Sequence, residues 1–338
     1  MLIGFSKSAK PKPTPVFRSY WYFAAERQHV FFRRLAGNPP PWTDDQIINA
    51  HRFTNAYRVL DRVSQFLIRE VIYYGSQKVD EIFFRTLLFK IFNRIETWQR
   101  LLNTLGEISW ATYDFTQYDK ILSEAMTKGI RIFSPAYIMP SGSRQFGESR
   151  KHRNYLRLLE RMMKECVPEQ LLSSSSMLQA YSILRSYPLL GDFLAYQYLT
   201  DINYSETLPF SEMEFVTPGP GAKSGIEKCF STLGDLSHAD TIRWVTENQE
   251  ESFRVFGFDF RNLFGRALQL IDCQNLFCEV DKYARVKHPE FNEQQGRFRI
   301  KRKFYPNGSP IHYWFPPKWK LTTTLPENTY QLELVGCI

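Results

Sequence analysis

The segment Gly219-Pro220-Gly221 constrains the fold of this chain most, because it combines a tight turn with the start of a helix. Two glycines flank a proline, and a helical pattern follows at once. Glycine adopts backbone conformations closed to other residues and lets a second molecule approach closely. N–H groups left unpaired at a helix start bind anions. We therefore predict a phosphate-binding turn; a simple structural turn is the alternative. The predicted DNA-binding residues here are Gly219, Gly221, Lys223 and Ser224.

The composition indicates a globular chain with a moderate preference for polyanions. Among its 338 residues, 43% are hydrophobic and 16% are aromatic, which is too apolar for a disordered chain. Lys and Arg together exceed Asp and Glu by eight charges (43 − 35). This excess favours DNA or another polyanion as a partner without establishing one.

Neither a metal site nor a cofactor is predicted. The five cysteines lack the spacing of zinc or iron–sulfur ligands, and the histidines are scattered. No signal peptide and no apolar run long enough to span a bilayer are visible. We therefore expect a soluble cytoplasmic protein with reduced thiols and no membrane partner.

Helical periodicity dominates the chain, so we predict a mainly α fold. Thr43 is predicted to cap the helix that follows it, with Gln46 closing a capping box. The predicted helices include 44–57, 60–74, 78–104, 115–129, 258–271 and 281–287.

Strand-like alternation is confined to the C-terminal part of the chain. Basic and aromatic residues alternate after residue 297, and Asn307-Gly308 supplies a hairpin turn. We therefore predict a small C-terminal β-hairpin over 297–315. Residues 1–16 are expected to be a flexible lead-in, followed by one helical region over 17–338. A small, polar stretch at 141–147 either divides this region into two lobes or forms a loop.

Several segments together form a recognisable set: Tyr20–Arg27, Pro41–Asp44, Arg52–Arg58 with Asp61-Arg62, Gly191–Gln197, Asp201–Tyr204, Gly219–Gly221 and Cys278–Tyr283. This set resembles the α-glutamyl/putrescinyl-thymine pyrophosphorylase family, which includes the helical domain found with 5-hydroxymethyluracil DNA kinases. The resemblance covers about residues 17–320 and implies a helix-hairpin-helix, DNA-glycosylase-like fold that acts on modified thymine in DNA.

The same resemblance implies Asp281 as a catalytic residue. In helix-hairpin-helix glycosylases, a Val-Asp dipeptide after the hairpin opens a helix and carries the catalytic aspartate, and Val280-Asp281 is its counterpart here. The longer gap after the hairpin implies an inserted segment. An ordinary N-cap is the alternative for Asp281. Lys282 is predicted to contact phosphate, and Glu279 either supports the site or is a surface acid.

Two residues on a predicted helix, Gln197 and Asp201, are candidate catalytic residues. They are four positions apart and therefore face the same way. With Tyr196 and Asn203 as substrate-binding neighbours, they could read a pyrimidine edge or hold an amine. Capping of neighbouring helices is the alternative.

Asn55, Arg58 and Arg62 are predicted to bind substrate. Arg58 and Arg62 are expected on one helix face, where they and the nearby Asp61 would meet a phosphate and a base edge; an ion-paired surface is the alternative.

Arg299 and Lys301 are predicted to contact the DNA backbone, because alternating basic residues on a strand put charge on one face. Protection of an edge strand against aggregation explains the same pattern.

The first functional hypothesis is transfer of an amine or amino acid onto an activated, 5-hydroxymethyluracil-derived base in phage-type DNA. The alternatives are a glycosylase that excises a modified base, as in anti-phage defence, and a non-catalytic module that presents modified DNA to a separate enzyme. A P-loop kinase is excluded for these residues, because Ala222-Lys223-Ser224 lacks the required glycine register.

Overall fold

The computed structural model describes residues 10–137, 139–292, 296, 298–306 and 313–321. The chain forms two compact units. The first unit comprises Met1–Asp61, Val216–Tyr313 and Leu321–Ile338, and the second comprises Arg62–Phe215 and Trp314–Lys320. The chain therefore leaves the first unit after Asp61 and returns to it at Val216.

Helices make up most of both units. A π-helical segment, Leu67–Ile72, follows the third helix, and 3₁₀ turns lie at Arg58–Leu60, Pro289–Asn292 and Pro317–Trp319. In chain order the other elements are β1 (Lys12–Pro13), α1 (Pro15–Leu35), α2 (Gln46–Ala50), α3 (Arg62–Phe66), α4 (Val79–Phe92), α5 (Ile95–Leu105), α6 (Phe115–Thr127), α7 (Ser143–Phe146), α8 (Lys151–Lys164), α9 (Val167–Leu172), α10 (Met177–Arg185), α11 (Asp192–Ile202), α12 (Pro220–Cys229), β2 (Phe230–Thr232), α13 (His238–Glu247), α14 (Gln249–Phe256) and α15 (Leu270–Lys287).

The predicted mainly α fold is confirmed, and a small antiparallel sheet accompanies it. That sheet joins β1 to β2, with Lys12 opposite Thr232. Within 297–315, the described residues form no strand and make one isolated bridge, between Lys303 and His51. Residues 298–306 instead run beside the end of α2. The predicted Asn307-Gly308 turn lies outside the described residues.

Two predicted boundaries fall inside ordered structure. Thr14 caps α1 by accepting a hydrogen bond from the Val16 N–H at 3.2 Å, so the described end of the expected lead-in joins the fold. The stretch 141–147 lies within the second unit, where it contains the short helix α7. This polar stretch lies in the connection between α6 and α8.

The predicted helix over 44–57 ends early, at Ala50. Asp45, and not Thr43, is the N-cap, because its Oδ1 accepts hydrogen bonds from the N–H groups of Ile47 and Ile48. Residues 52–57 then leave the helical path. The carboxylates of Glu279 and Asp61 bond the Thr54 and Asn55 N–H groups there and replace helical partners. No local pattern in the sequence signals the bond to Glu279, which is 225 residues from Thr54.

Two further helix predictions need correction. Residues 258–269 are irregular and include a turn with positive φ at Phe264 and Gly265. The helix that follows, α15, begins at Leu270 behind a capping box between Gln269 and Asp272. Asp281 therefore lies deep inside a helix, so the predictions that it opens or caps one are wrong.

The predicted helix over 78–104 is interrupted in the middle. Asn93 adopts a left-handed conformation (φ 47°, ψ 40°) that ends α4, and α5 begins at Ile95. In contrast, α6 follows its predicted span closely, because Asp114 caps it through a hydrogen bond from the Gln117 N–H. No helix in the described part of the chain is long and apolar enough to cross a bilayer.

Helices α12 and α15 cross closely in the first unit. A Cβ atom added to Gly225 would lie 2.0 Å from the carbonyl oxygen of Phe277, and one added to Gly221 would lie 3.1 Å from Cys278 Sγ. Only glycine at position 225 allows this approach of two backbones. Gly221 faces the same helix, so packing explains it without a ligand, and its predicted contact with DNA stays a prediction.

We predict that Gly225→Ala lowers the free energy of unfolding by about 3 kcal/mol, because a backbone atom must move to admit the methyl group. Gly221→Ala is the matched comparison. Its neighbour is a side-chain sulfur that can rotate, so we expect a change within about 1 kcal/mol. Urea denaturation of both variants measures the difference, and equal stabilities would contradict the packing argument.

Candidate functional site

Arg27, Asn55 and Asp61 form a polar cluster in the first unit. Arg27 donates a hydrogen bond from Nε to the Thr54 carbonyl oxygen at 2.9 Å and from Nη2 to Asn55 Oδ1 at 3.3 Å. Asn55 donates to Asp61 Oδ1 from its backbone N–H at 2.9 Å and from Nδ2 at 3.3 Å. Arg27 of α1 thus fixes Thr54 and Asn55 by hydrogen bonds, and Asn55 in turn fixes the carboxylate of Asp61.

Asp61 is surrounded by protein and yet remains partly exposed. Loss of hydration raises its pKa to about 7, against the opposing effect of the Asn55 N–H; Glu279 adds to the increase, and Arg27 and Arg58 reduce it. The surroundings of Asp61 therefore shield its carboxyl group from most of the solvent without sealing it, and we call this position the recess. Its second oxygen, Oδ2, has no hydrogen-bond partner among the described residues. Asp61 is therefore available to a ligand.

Two carboxylates of α15 hold the segment that leads to this recess. Glu279 Oε2 accepts a hydrogen bond from the Thr54 N–H at 3.3 Å, and Asp272 Oδ1 accepts one from the Arg58 N–H at 2.7 Å. Glu279 is buried, so the alternative that it is a surface acid is wrong. Lys282 Nζ lies 2.5 Å from Glu279 Oε1, and its contact with phosphate stays a prediction.

Arg58 and Arg62 do not share a helix face, contrary to the prediction. Arg58 is buried in a 3₁₀ turn, and Arg62 is exposed at the start of α3 in the second unit. The extended backbone of Asp61 (φ −71°, ψ 140°) separates them and breaks the helical register. Their roles in substrate binding stay predictions.

Residues 298–306, which we call the basic segment, expose a row of cations in the first unit. Arg299 and Lys301 are exposed, as are the two residues after Lys301, Arg302 and Lys303. Tyr305 is 76% exposed. The Arg52 N–H donates to the Arg302 carbonyl oxygen, and the Phe304 N–H donates to that of Ala50, both at 3.0 Å. These bonds fix the basic segment beside the residues that precede Thr54.

Asp281 lies in a buried charge network that joins α15 to α12. Its Oδ1 accepts from Ser224 Oγ at 2.5 Å and Lys228 Nζ at 2.7 Å, and its Oδ2 accepts from Arg285 Nη2 at 2.5 Å. Burial raises the pKa of this carboxyl group, but the bonds from Lys228, Ser224 and Arg285 outweigh it and lower the pKa overall. Both oxygens are occupied, which is typical of a structural network. A catalytic role for Asp281 stays a prediction.

The predicted phosphate-binding turn is the N-terminus of α12. Gly219 is the N-cap residue, with φ −75° and ψ 168°, so its conformation does not demand glycine. Lys223 is exposed, while the Ser224 hydroxyl faces Asp281. The turn is therefore real as a helix start, and phosphate binding there stays a prediction.

Gln197 and Asp201 do share a face of α11, in the second unit, where both are buried. Asp201 Oδ2 lies 3.1 Å from Lys90 Nζ, and the Tyr137 hydroxyl donates to Gln197 Oε1 at 3.4 Å. Lys90 Nζ also lies 4.4 Å from the centre of the Tyr137 ring. This buried ion pair links α11 to α4, and catalytic roles for Gln197 and Asp201 stay predictions.

The neighbours of that pair make local contacts. Tyr196 is buried, and its ring meets Phe215 edge-on, with centroids 5.9 Å apart. Asn203 donates from Nδ2 to the Phe210 carbonyl oxygen at 3.0 Å. Substrate binding by these two residues stays a prediction. Among all described residues, no group of three or more His, Cys, Asp or Glu side chains is placed to hold a metal ion.

The described structure thus defines a mainly helical protein whose first unit contains a partly exposed carboxyl group, Asp61, and a row of exposed cations bonded to the backbone of Ala50 and Arg52. The chain matches the family described as "5-hmdU DNA kinase, helical domain" over residues 14–293 and belongs to it. The predicted resemblance is confirmed in this respect.

One curated relative is the 5-hmdU DNA kinase of Bacillus phage SP10. It is 27% identical to this chain over an alignment of 286 positions, and the alignment covers 78% of this chain and 44% of the relative. The chain therefore spans less than half the length of that protein. No solved structure is significantly similar to the chain, and the helix-hairpin-helix, glycosylase-like part of the fold stays a prediction.

Asp61 and Arg27 belong to segments that carry the family resemblance, but the sequence alone predicts neither as a site residue. One signal was available for Asp61. Thr54, Asn55 and Asp61 are polar residues within a run of buried apolar ones, Phe53, Ala56, Tyr57, Val59 and Leu60. Polar groups in such a run need partners, and their presence there is informative.

We predict that Asp281→Asn lowers the free energy of unfolding by about 3–5 kcal/mol, because Lys228 and Arg285 lose their shared counter-charge. The double variant Asp281→Asn, Lys228→Met should recover part of this loss. Glu251→Gln, in an exposed pair with Arg254, is the control and should have little effect. Denaturation curves test this, and an unaffected Asp281→Asn protein would contradict the structural network.

The same network gives a direction for the dependence of stability on pH. The pKa of Asp281 is lowered by folding, so its contribution is complete above the pKa of an unfolded aspartate, about 3.9. It should be lost as the pH falls through the lower pKa of the folded state. Acid denaturation should therefore be steeper for the wild type than for Asp281→Asn.

Proposed function

We propose that this chain binds DNA containing 5-hydroxymethyluracil and holds the modified base for phosphorylation of its hydroxymethyl group. The observation that carries the proposal is that the stretch 50–61 bonds to the basic segment at Ala50 and Arg52 and contains the recess of Asp61, in a member of this family. The name of the phage relative supplies the modified base and the type of reaction.

The basic segment suits the phosphate backbone of DNA. Lys and Arg side chains that meet phosphates release counterions and provide binding that does not depend on sequence. The exposed Tyr305 adds a surface on which a base can stack. These features favour the hypothesis that Arg299 and Lys301 contact DNA. The alternative, protection of a strand edge against aggregation, is disfavoured because the described part of the segment forms no strand.

The recess suits a base that has left the helical stack. An enzyme that acts on a base within a duplex must extrude it and bind its polar edge in a pocket. Arg27 supplies N–H donors that complement the carbonyl oxygens of a uracil ring, and Asp61 supplies an acceptor for a donor group on the edge of the modified base. Extrusion is thus part of the proposal.

Phosphorylation also needs a bound phosphate donor. P-loop kinases hold it with the pattern Gly-x-x-x-x-Gly-Lys-[Ser/Thr], and these 338 residues do not contain that pattern. The proposal therefore gives this chain the DNA side of the reaction and assigns the phosphate donor to a kinase segment outside these residues. It develops the hypothesis of a module that presents modified DNA to a separate enzyme.

The hypotheses of amine transfer and of base excision predict other products. The name of the relative supports neither, because it states a kinase. Transfer would yield a heavier nucleoside that carries the amine, and excision would yield a free base and an alkali-labile strand.

The test compares duplexes that carry 5-hydroxymethyluracil or thymine at one position. Binding is measured by fluorescence anisotropy, and nucleosides are analysed by mass spectrometry after incubation with ATP, an amine mixture and a P-loop kinase. Preference for the hydroxymethyluracil duplex, and a phosphorylated nucleoside formed faster in the presence of this chain, would support the proposal. Equal affinities without such an effect would contradict it.

We predict that the double variant Arg299→Ala, Lys301→Ala binds both duplexes about tenfold more weakly, and that its slope of log affinity against log salt falls by about 2. Loss of two phosphate contacts is the reason, so the ratio of the two affinities should not change. Lys120→Ala, Lys128→Ala, which removes two exposed charges from α6, is the control. A wild-type salt slope in the first variant would rule out the basic segment as the DNA contact.

A further inference from the structure

We infer that Asp61 is the residue that distinguishes 5-hydroxymethyluracil from thymine, with its Oδ2 accepting a hydrogen bond from the hydroxymethyl group. Arg27 donates to the adjacent ring carbonyl oxygen, which both bases share. The inference rests on the proposed function and adds to it the atoms that select the substrate.

The two side chains offer one open acceptor and one open donor. Asp61 uses Oδ1 to bind Asn55 and leaves Oδ2 open. Arg27 uses Nε and Nη2, and its Nη1 has no hydrogen-bond partner among the described residues. A guanidinium carries five N–H donors in a fixed plane, so the unused ones have a defined direction.

The amide of Asn55 links this acceptor to this donor. It accepts from Arg27 through Oδ1 and donates to Asp61 through Nδ2, at 3.3 Å in each case. The amide Nδ2 also donates to the Leu60 carbonyl oxygen at 2.9 Å, which fixes its orientation. Acceptor and donor are therefore held in a constant relation, as recognition of two neighbouring polar groups on one ring requires.

A hydroxyl group is the feature that such a site selects well. With thymine, a methyl group replaces the hydroxymethyl group, and a partly dehydrated carboxylate oxygen is covered without a hydrogen bond. Sites built to bind a hydroxyl reject analogues that lack it far more strongly than apolar pockets reject small differences in size. We expect the wild type to prefer hydroxymethyluracil DNA by about 30-fold.

The charges around Asp61 make this preference depend on pH. Arg27 from α1 and Arg58 from the 3₁₀ turn favour the ionised form, while burial and Glu279 from α15 oppose it, and the hydroxyl group of Tyr313 lies in the same electrostatic environment. The balance places the pKa near 7. An ionised carboxylate only accepts hydrogen bonds, whereas a protonated one also donates. The preference should therefore rise as the pH passes upward through this pKa.

The decisive variant is Asp61→Asn, which puts an NH₂ donor in place of Oδ2 while its carbonyl oxygen still accepts from Asn55. Dissociation constants for both duplexes are measured for the wild type and the variant. We expect the preference to fall from about 30-fold to about twofold or less, with unchanged affinity for thymine DNA as evidence of a folded protein. Asp259→Asn, at a side chain that is 93% exposed in the same unit, is the matched control and should behave as the wild type.

The outcomes separate this inference from the proposed function. A wild type that prefers hydroxymethyluracil DNA and an Asp61→Asn protein that keeps the preference would overturn the inference and leave the function standing. A wild type that neither prefers hydroxymethyluracil DNA nor speeds formation of the phosphorylated nucleoside would overturn both. A wild type that speeds the phosphorylation without any binding preference would overturn this inference alone. Should the variant fail to fold, the wild type alone decides, because a preference that is constant from one pH unit below to one above the pKa of about 7 excludes Asp61.

Discussion

Helix α15 is buried along most of its length and yet carries three carboxylates, Asp272, Glu279 and Asp281. A buried carboxylate is tolerated only with hydrogen-bonded or charged partners. Each of the three finds them on a different part of the first unit: Asp272 on the 3₁₀ turn, Glu279 on the segment 52–57, and Asp281 on α12. Compensation of these charges therefore connects the N-terminal part of the unit to its later helices. The candidate site depends on two of these contacts, those of Asp272 and Glu279.

Asp281 on α15 and Asp61 after the 3₁₀ turn differ in how much of their hydrogen-bonding capacity the protein uses. Asp281 has both oxygens engaged and a lowered pKa, whereas Asp61 has one open oxygen and a raised pKa. A group that serves structure is saturated by partners, while a group that serves a ligand keeps unused bonding capacity at some cost in hydration. On this criterion the recess around Asp61, and not the network around Asp281, has the properties expected of a binding site.

The sequence predicts the helical class well, because apolar periodicity and caps are local. Helix α6 is an example, since Asp114 and the apolar spacing after it are both visible in the sequence. The failures at 44–57 and 281–287 have other causes. The segment 52–57 owes its path to Arg27 and Glu279, and the second of these is 225 residues away from Thr54. The start of α15 does carry a local signal, the capping box between Gln269 and Asp272.

The sequence predicts only part of the candidate site. Charge and its alternation alone predict Arg299 and Lys301 as DNA contacts, because exposed cations need no specific partner within the protein. The recess required knowledge of which polar side chains remain unsatisfied after folding, and that follows only from contacts among α1, the segment 52–57 and α15. The family resemblance named Arg52–Arg62 as a relevant segment but did not show that Asp61 is its open group.

The central claim is that DNA containing 5-hydroxymethyluracil meets the first unit at the recess and the basic segment. Amide hydrogen exchange, measured with and without such a duplex, tests it most directly. The account predicts slower exchange over residues 50–61 and 298–306 when the duplex is bound. Protection confined to the start of α12, over residues 219–224, with unchanged exchange at residues 50–61, would contradict it.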